Sequence, residues 1–394
     1  MEATKEMALM NTYSRFPVRI VKGKGCYVWD EEGNKYLDFT SGIATCNLGH
    51  VPDSVKQALE QQLEQIWHCS NLYHIPNQEK LAKILVKNSC FDQVFFCNSG
   101  AEANEAAIKL ARMYASENGR SPEIVTFRQS FHGRTMATLT ATGQEKVQKG
   151  FDPLVPGFTW LPYNDFDALE RLKEIRPAAV LLELIQGEGG VIPADPDWID
   201  KLEMICKQEK ILLMIDEVQT GIGRTGKLFA YEHYGIEPDV MTLAKGLGSG
   251  FPVGAMLAKK EVSSLFRPGT HASTFGGNPL ATAAGLATME QLTETDLLAA
   301  ARENMKQFEE KLNGLKNVYP FIKEVRGTGY LLGVEINGEA GKVVRLAIEE
   351  KLLILTAGPA VIRILPPLTV AGDEIHLFFD RFKKTLDKYL ETLE

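Results

Sequence analysis

Apolar positions along the chain alternate between two periodicities. Short, dominantly apolar runs at Gln93–Cys97, Glu123–Phe127, Ala178–Ile185, Ile211–Ile215 and Asp239–Ala244 predict strands, several of them buried on both faces. Helical spacing separates them, at Asp53–Gln65, Pro76–Lys87, from Asn98 to about Ser116, at Gln144–Gly150, at Trp198–Gln208 and from about Asn278. Alternation of this kind predicts an α/β fold with a mainly parallel sheet flanked by helices. Upstream, Cys26–Trp29 and Lys35–Phe39 bracket the turn sequence EEGN, a hairpin pattern. After about residue 290 the texture changes. A charged amphipathic helix at Leu297–Leu315, two strand-like runs in Phe321–Ile336 around an Arg326-Gly327-Thr328-Gly329 turn, and a closing helix at Glu374–Leu393 predict a smaller α+β domain. The resulting division is an N-terminal segment over 1–45, a large domain over 46–290 and a small domain over 291–394.

Two strands carry chemistry at their ends. Ile211–Ile215 stops at Asp216, and Asp239–Ala244 stops at Lys245, after which Gly246, Gly248 and Gly250 break the pattern. Ligands of open α/β sheets bind at the carboxyl ends of strands, so Asp216 and Lys245 are expected to face one pocket. A lysine leaving an apolar strand is desolvated, which favours the neutral amine that imine chemistry needs. A nearby carboxylate completes what pyridoxal phosphate requires, because it keeps the pyridine nitrogen protonated. Residue types alone leave a buried ion pair or a solvated loop lysine equally open.

Composition narrows the setting. A chain of 394 residues, 44% hydrophobic, buries a large core and exceeds the usual size of one domain. Its formal net charge of −8 argues against a nucleic-acid surface, so anionic ligands must be captured by local arginines. Six cysteines without CxxC spacing suit free thiols in a reducing compartment. The start MEATKEMALM has no long apolar region, and no run reaches the length of a membrane span, so a cytoplasmic protein is expected.

Further motifs cluster around the same strand ends. Asn98-Ser99-Gly100-Ala101-Glu102-Ala103-Asn104 joins a strand to an alanine-rich helix, whose amides and Ser99 hydroxyl suit a phosphate; a plain helix cap is the simpler alternative. Phe131-His132-Gly133-Arg134 offers an aromatic ring for a planar group and a guanidinium for a carboxylate, while His132 alone reads as structural. Glu183 and Glu188, in ELIQGEGG, fall near the same edge and suit either orienting roles or a solvated loop. Gly221-Ile-Gly223-Arg-Thr-Gly226 matches a dinucleotide pattern but lacks both its strand context and a following acid, so that reading fails. Lys22-Gly-Lys-Gly25 and Ala244-Lys-Gly lack a P-loop ending, and His68, Cys69 and His74 lack metal-ligand spacing, so no metal is expected.

In combination, NSGAEAN, FHGR, ELIQGEGG, IDEVQTGIGRTG, LAKGLGSGFPVGA and HASTFGGNPL resemble the class III (subgroup II) aminotransferases, from about Tyr13 to the C-terminus. The resemblance implies pyridoxal-phosphate fold type I, with a seven-stranded large-domain sheet and a small domain drawn from both termini. It implies that Lys245 holds the cofactor as a Schiff base and that Asp216 pairs with the pyridine nitrogen. Ser99, Gly100 and Ala101 would bind the phosphate together with Thr274 of the partner subunit in a homodimer with shared sites. Phe131 and Val218 would cover the two ring faces, Gln219 would meet the 3′ oxygen, and Glu183 would complete the cofactor contacts. Within the class, the pattern is similar to that of the acetylornithine aminotransferases, which use N-acetylornithine and 2-oxoglutarate. Arg134 and Arg363 would then bind substrate carboxylates, with Glu188 a movable partner of Arg363 and Tyr13, Ile43 and Ser273 lining the substrate. Ornithine δ-aminotransferases are similar too, but typically place a tyrosine where this chain has Ile43, which disfavours free ornithine.

Overall fold

The computed structural model describes residues 8–393; the first seven, on which the reading of a start without a leader largely rests, and the last lie outside the described residues. Seven strands form the central sheet, in the spatial order Gln93–Cys97, Gly254–Ala258, Val240–Leu243, Leu212–Asp216, Ala179–Leu182, Ile124–Phe127 and Phe158–Leu161. The five from Val240–Leu243 onward run parallel, whereas Gly254–Ala258 is antiparallel to both of its neighbours. The expected mainly parallel seven-stranded sheet is therefore present, flanked by helices as in fold type I.

Local signals set the element boundaries. Ser99 caps the helix Gly100–Glu117 by accepting from the Glu102 amide at 3.2 Å, and the helix turns Ala103, Ala106, Ala107 and Ala111 into the core. Asn278 caps Pro279–Thr293 in the same way, at 2.9 Å from the Ala281 amide. Several elements differ from the sequence pattern. Gln144–Gly150 contracts to the single turn Glu145–Gln148. Ala178–Ile185 ends at Leu182, where Glu183 leaves the sheet and Ile185–Gln186 pairs with Ile192–Pro193 in a hairpin. Phe158–Leu161 and the helix Phe166–Ile175, capped by Asp165, are additional.

A second sheet holds Ile322–Thr328, Leu331–Ile336, Val361–Ile364 and Leu355–Thr356, all antiparallel. Its register puts Arg326 opposite Gly333 and Gly333 opposite Arg363, so the three occupy one row on one face. A third sheet joins Ile20–Lys24, Tyr27–Asp30 and Lys35–Asp38 to Leu352–Leu353 from the far end of the chain. Phe39 stacks on Phe378 at 4.8 Å, and Phe308 meets Phe378 at 5.0 Å, so the two long helices Leu297–Gly314 and Gly372–Glu391 share an aromatic core with the N-terminal segment. Each such buried ring contributes about 2 kcal/mol relative to exposure. Among the described residues no helix is long and apolar enough to cross a membrane.

Candidate active site

A cavity of about 410 Å³ opens where the strands bearing Asp216 and Lys245 end. Those strands are adjacent and parallel, which brings both side chains to the same edge. Asp216 is 3% exposed and its Oδ2 accepts from Asn104 Nδ2 at 2.7 Å and lies 2.8 Å from His132 Nδ1; Oδ1 accepts from the Val218 amide at 3.0 Å. Lys245 has a positive φ of 43°, a backbone conformation sparsely used by side-chain-bearing residues. Burial lowers its ammonium below the ordinary lysine value, with Glu188 opposing that effect and Arg363 adding to it.

The remaining wall suits a flat, phosphorylated guest. Ser99, Gly100 and Ala101 line one end of the cavity at a helix start, whose first amides have no carbonyl partner within the helix. A Cβ on Gly100 would lie 2.7 Å from Val218 Cγ1, so the residue must be glycine for backbone and Val218 to approach this closely. Phe131 and Val218 both line the cavity, and Arg134 sits 5.4 Å from the Phe131 ring centre. Glu183 accepts from the Phe131 amide at 2.9 Å and the Gly187 amide at 3.1 Å. Burial pushes its carboxyl up to about 7, with His132 opposing and Asp216 reinforcing the rise.

Arg363 stands just behind this wall, 2% exposed. Its Nη1 donates to Glu188 Oε1 at 2.5 Å, Gly187 O at 3.0 Å and Gln219 Oε1 at 3.0 Å, while its Nε has no partner. Burial works against the Glu188 carboxylate, but the charge and hydrogen bond of Arg363, together with Lys245 and Lys146, outweigh it and hold the group below the usual range. Glu188 itself borders a neighbouring cavity of about 730 Å³ that reaches the second sheet at Arg326 and Glu335.

The structure does not bring every candidate into one cavity. Thr274 and Ser273 line a separate one with Phe95, Cys97 and His271. Tyr13 is 71% exposed and borders none of these cavities. Ile43 is also exposed, in a left-handed turn in which Ser41, Gly42, Ile43 and Ala44 all have positive φ. Such a turn costs roughly 1–2 kcal/mol per side-chain-bearing residue, here opposed by the 2.6 Å bond from Ser41 Oγ to Leu365 O. Sequence reasoning gave no role to Asn104, which also accepts from Thr242 Oγ1 at 2.7 Å. Its signal was an amide among alanines on a buried helix face. The rejected glycine pattern at Gly221–Gly226 holds Arg224, fully buried and donating to Asn47 Oδ1, Tyr330 O and Pro366 O as a cross-link between chain segments.

A buried lysine and carboxylate at neighbouring strand ends, an aromatic wall and a helix start together define a pyridoxal-phosphate site of the aminotransferase kind. The class III aminotransferase family model matches residues 9–386, and the chain belongs to that family; it is a pyridoxal-phosphate-dependent transaminase. It is 56% identical over 379 residues to an acetylornithine aminotransferase of Oceanobacillus iheyensis, covering 96% of this chain and 95% of the relative. It is 50% identical to one from Thermosynechococcus vestitus, over 97% and 95% of the two chains. Among solved structures, N-acetylornithine aminotransferase from Stenotrophomonas maltophilia superposes with a TM-score of 0.85 at 36% identity, over 96% and 98% of the chains. Ornithine aminotransferase from Toxoplasma gondii superposes at 0.94 with 33% identity, over 98% and 94%.

Proposed function

We propose that this transaminase moves the δ-amino group of N2-acetyl-L-ornithine to 2-oxoglutarate, giving N-acetyl-L-glutamate 5-semialdehyde and L-glutamate in arginine biosynthesis. The observation that carries this reading is the 2.5 Å Arg363–Glu188 pair beside the lysine-bearing cavity. One substrate reacts far from its carboxylate and the other beside its α-carboxylate, so a single pocket needs a cation that is neutralised for the first and released for the second. The acetylornithine aminotransferases among the relatives, and an isoleucine at position 43, support the acylated donor. The likeness to ornithine aminotransferase supports the shared chemistry without reaching the donor's acyl group.

Bound pyridoxal phosphate supplies an aldehyde that takes the amine and a ring that draws electrons from the bond being broken. Lys245 Nζ would hold the cofactor and serve as the base that takes the proton from the donor's δ carbon; its lowered proton affinity favours the free amine that both tasks need. Asp216 holds the proton on the ring nitrogen. Ser99, Gly100 and Ala101 would bind the phosphate with Thr274 of the partner subunit, Phe131 and Val218 would cover the ring faces, and Gln219 and Glu183 would complete the cofactor contacts. Arg134 takes the distal carboxylate of either substrate, and Arg363 takes the α-carboxylate of the oxo acid when Glu188 gives way. Tyr13, Ile43 and Ser273 border the donor. In this reading 46–290 and 291–394 are the large and small domains, and the described part of the N-terminal segment, 8–45, packs with the latter.

A homodimer fits the exposed apolar surface. Trp67, Leu72 and Tyr73 are 61%, 88% and 69% exposed, on a loop that Asn71 ties to Ser273 O and Gly276 O, beside Thr274 and the exposed Phe275. A second copy would cover this face and bring Thr274 to the neighbouring site. The six cysteines are free, as suits the cytoplasm. The test of the activity is kcat/KM for acetylornithine against ornithine, both with 2-oxoglutarate. A preference of about 100-fold, equivalent to about 2.7 kcal/mol in transition-state binding, supports the assignment; parity or an ornithine preference would overturn the donor while leaving the transaminase chemistry intact.

A further inference from the structure

We infer that Arg326 is a positioning residue that sets how firmly Glu188 holds Arg363, and so how the enzyme divides its activity between amines remote from a carboxylate and α-amino acids. The inference rests on the two-substrate reading above.

Glu188 sits in the short turn between Ile185–Gln186 and Ile192–Pro193, which pair as a hairpin. The turn rests on the second sheet, on the row Arg326–Gly333–Arg363. Gly333 is the seat: a Cβ there would lie 2.8 Å from Val191 Cβ. The two arginines grip the turn from opposite sides and in different ways. Arg363 holds the Glu188 carboxylate and Gly187 O. Arg326 forms its hydrogen bonds with the backbone of the turn; its Nε donates to Gly190 O at 3.0 Å and Val191 O at 3.2 Å, and its Nη2 to Gly190 O at 2.8 Å. Its Nη1 is braced by Glu335 at 2.5 Å and Glu324 at 2.7 Å.

These two grips differ in what a substrate displaces. An incoming α-carboxylate competes with the Glu188 side chain for Arg363, and nothing in that exchange touches Gly190 or Val191. The Arg326 clamp therefore keeps the turn seated while the Glu188 carboxylate leaves, and it keeps that carboxylate close by for its return. The turn needs such a clamp, because Gly190 and Val191 have φ of 118° and 53°, and the valine pays a conformational cost there. Without the fork, Glu188 is held less well against Arg363, and the guanidinium is more open to α-carboxylates. Lysine cannot reproduce a fork that reaches two carbonyls and two carboxylates.

The experiment measures single-turnover kcat/KM for acetylornithine and for glutamate on the holoenzyme, followed by loss of the cofactor's visible band. Arg326→Gln and Arg326→Lys are compared with Glu335→Gln, which leaves the arginine in place but weakens its brace and serves if the first variants fold poorly. The acetylornithine-to-glutamate ratio is expected to fall roughly fivefold in Arg326→Gln, to recover only partly in Arg326→Lys, and to fall less in Glu335→Gln. In a Glu188→Ala background, which is itself expected to raise glutamate turnover, Arg326→Gln should leave the ratio unchanged, because its effect passes through Glu188. An unchanged ratio in all three single variants, or an equal fall with and without Glu188, would overturn the inference. Failure of the wild-type protein to turn over acetylornithine would instead overturn the donor assignment, and Arg326 would still be tested by the glutamate arm against another amine donor.

Discussion

His132 Nδ1 lies 2.8 Å from Asp216 Oδ2, and both side chains are removed from solvent. The other ring nitrogen has no partner, so the imidazole is oriented by this contact and donates through Nδ1. Asn104 supplies the second side-chain bond to the same oxygen, so two side chains orient the carboxylate. The aspartate is thereby fixed before a cofactor arrives.

Removing either support should loosen cofactor retention more than it harms folding. Asn104→Ala strands the Thr242 hydroxyl as well as one bond to Asp216, at a cost of about 1–3 kcal/mol. The expected outcome is faster loss of bound pyridoxal phosphate on dialysis, read from the visible absorbance, with His132→Ala behaving similarly. Retention equal to wild type in both variants would show that Asp216 needs neither.

Gly333→Ala should destabilise the protein although alanine suits a strand. The added methyl would meet Val191 Cβ at 2.8 Å and Val361 Cγ1 at 3.0 Å, and overpacking of this kind costs about 1–3 kcal/mol. Thermal melting checks it. A melting temperature at or above wild type would mean that the hairpin turn moves away freely.

Stability should also depend on pH through His50. Burial disfavours its charged form, but the 2.7 Å bond to Asp38 and the nearby Cys46 outweigh that and raise the imidazolium to about 10. A folded value above the unfolded value of about 6.5 gives stabilisation that is complete below the latter and lost as pH rises through about 10. Between pH 7 and 10 the wild type should therefore lose more melting temperature than His50→Gln, by on the order of 2 °C. Parallel curves for the two proteins would remove His50 as the cause.

The parts of this site that were legible in sequence are those carried by single strands. Asp216 and Lys245 end short apolar runs, and the parallel pairing of those runs converts two sequence endings into one edge. The strand Gly254–Ala258 was hidden because its five small and apolar residues follow a glycine-rich stretch without polar alternation. Arg363 and Glu188 are 175 residues apart, and nothing local in either segment pairs them; only the resemblance named both, and only the sheet register explains why they meet. The same register brought in Arg326, which the sequence offered merely as the start of a turn. Thr274, Ser273, Tyr13 and Ile43 lie off the main cavity, and no periodicity in their segments encodes that placement.

The pairing of Leu352–Leu353 with Lys35–Asp38 has a bearing on how the chain is made. A ribosome delivers the first hairpin early, yet the strand that flanks it emerges on the order of 300 residues later, a wait of roughly 15 to 60 s at ordinary rates of synthesis. Throughout that interval Leu37 and Phe39, both fully buried in the finished protein, lack their neighbours. The nascent hairpin is thus an open sheet edge beside an apolar surface until the C-terminal strand arrives to cover it.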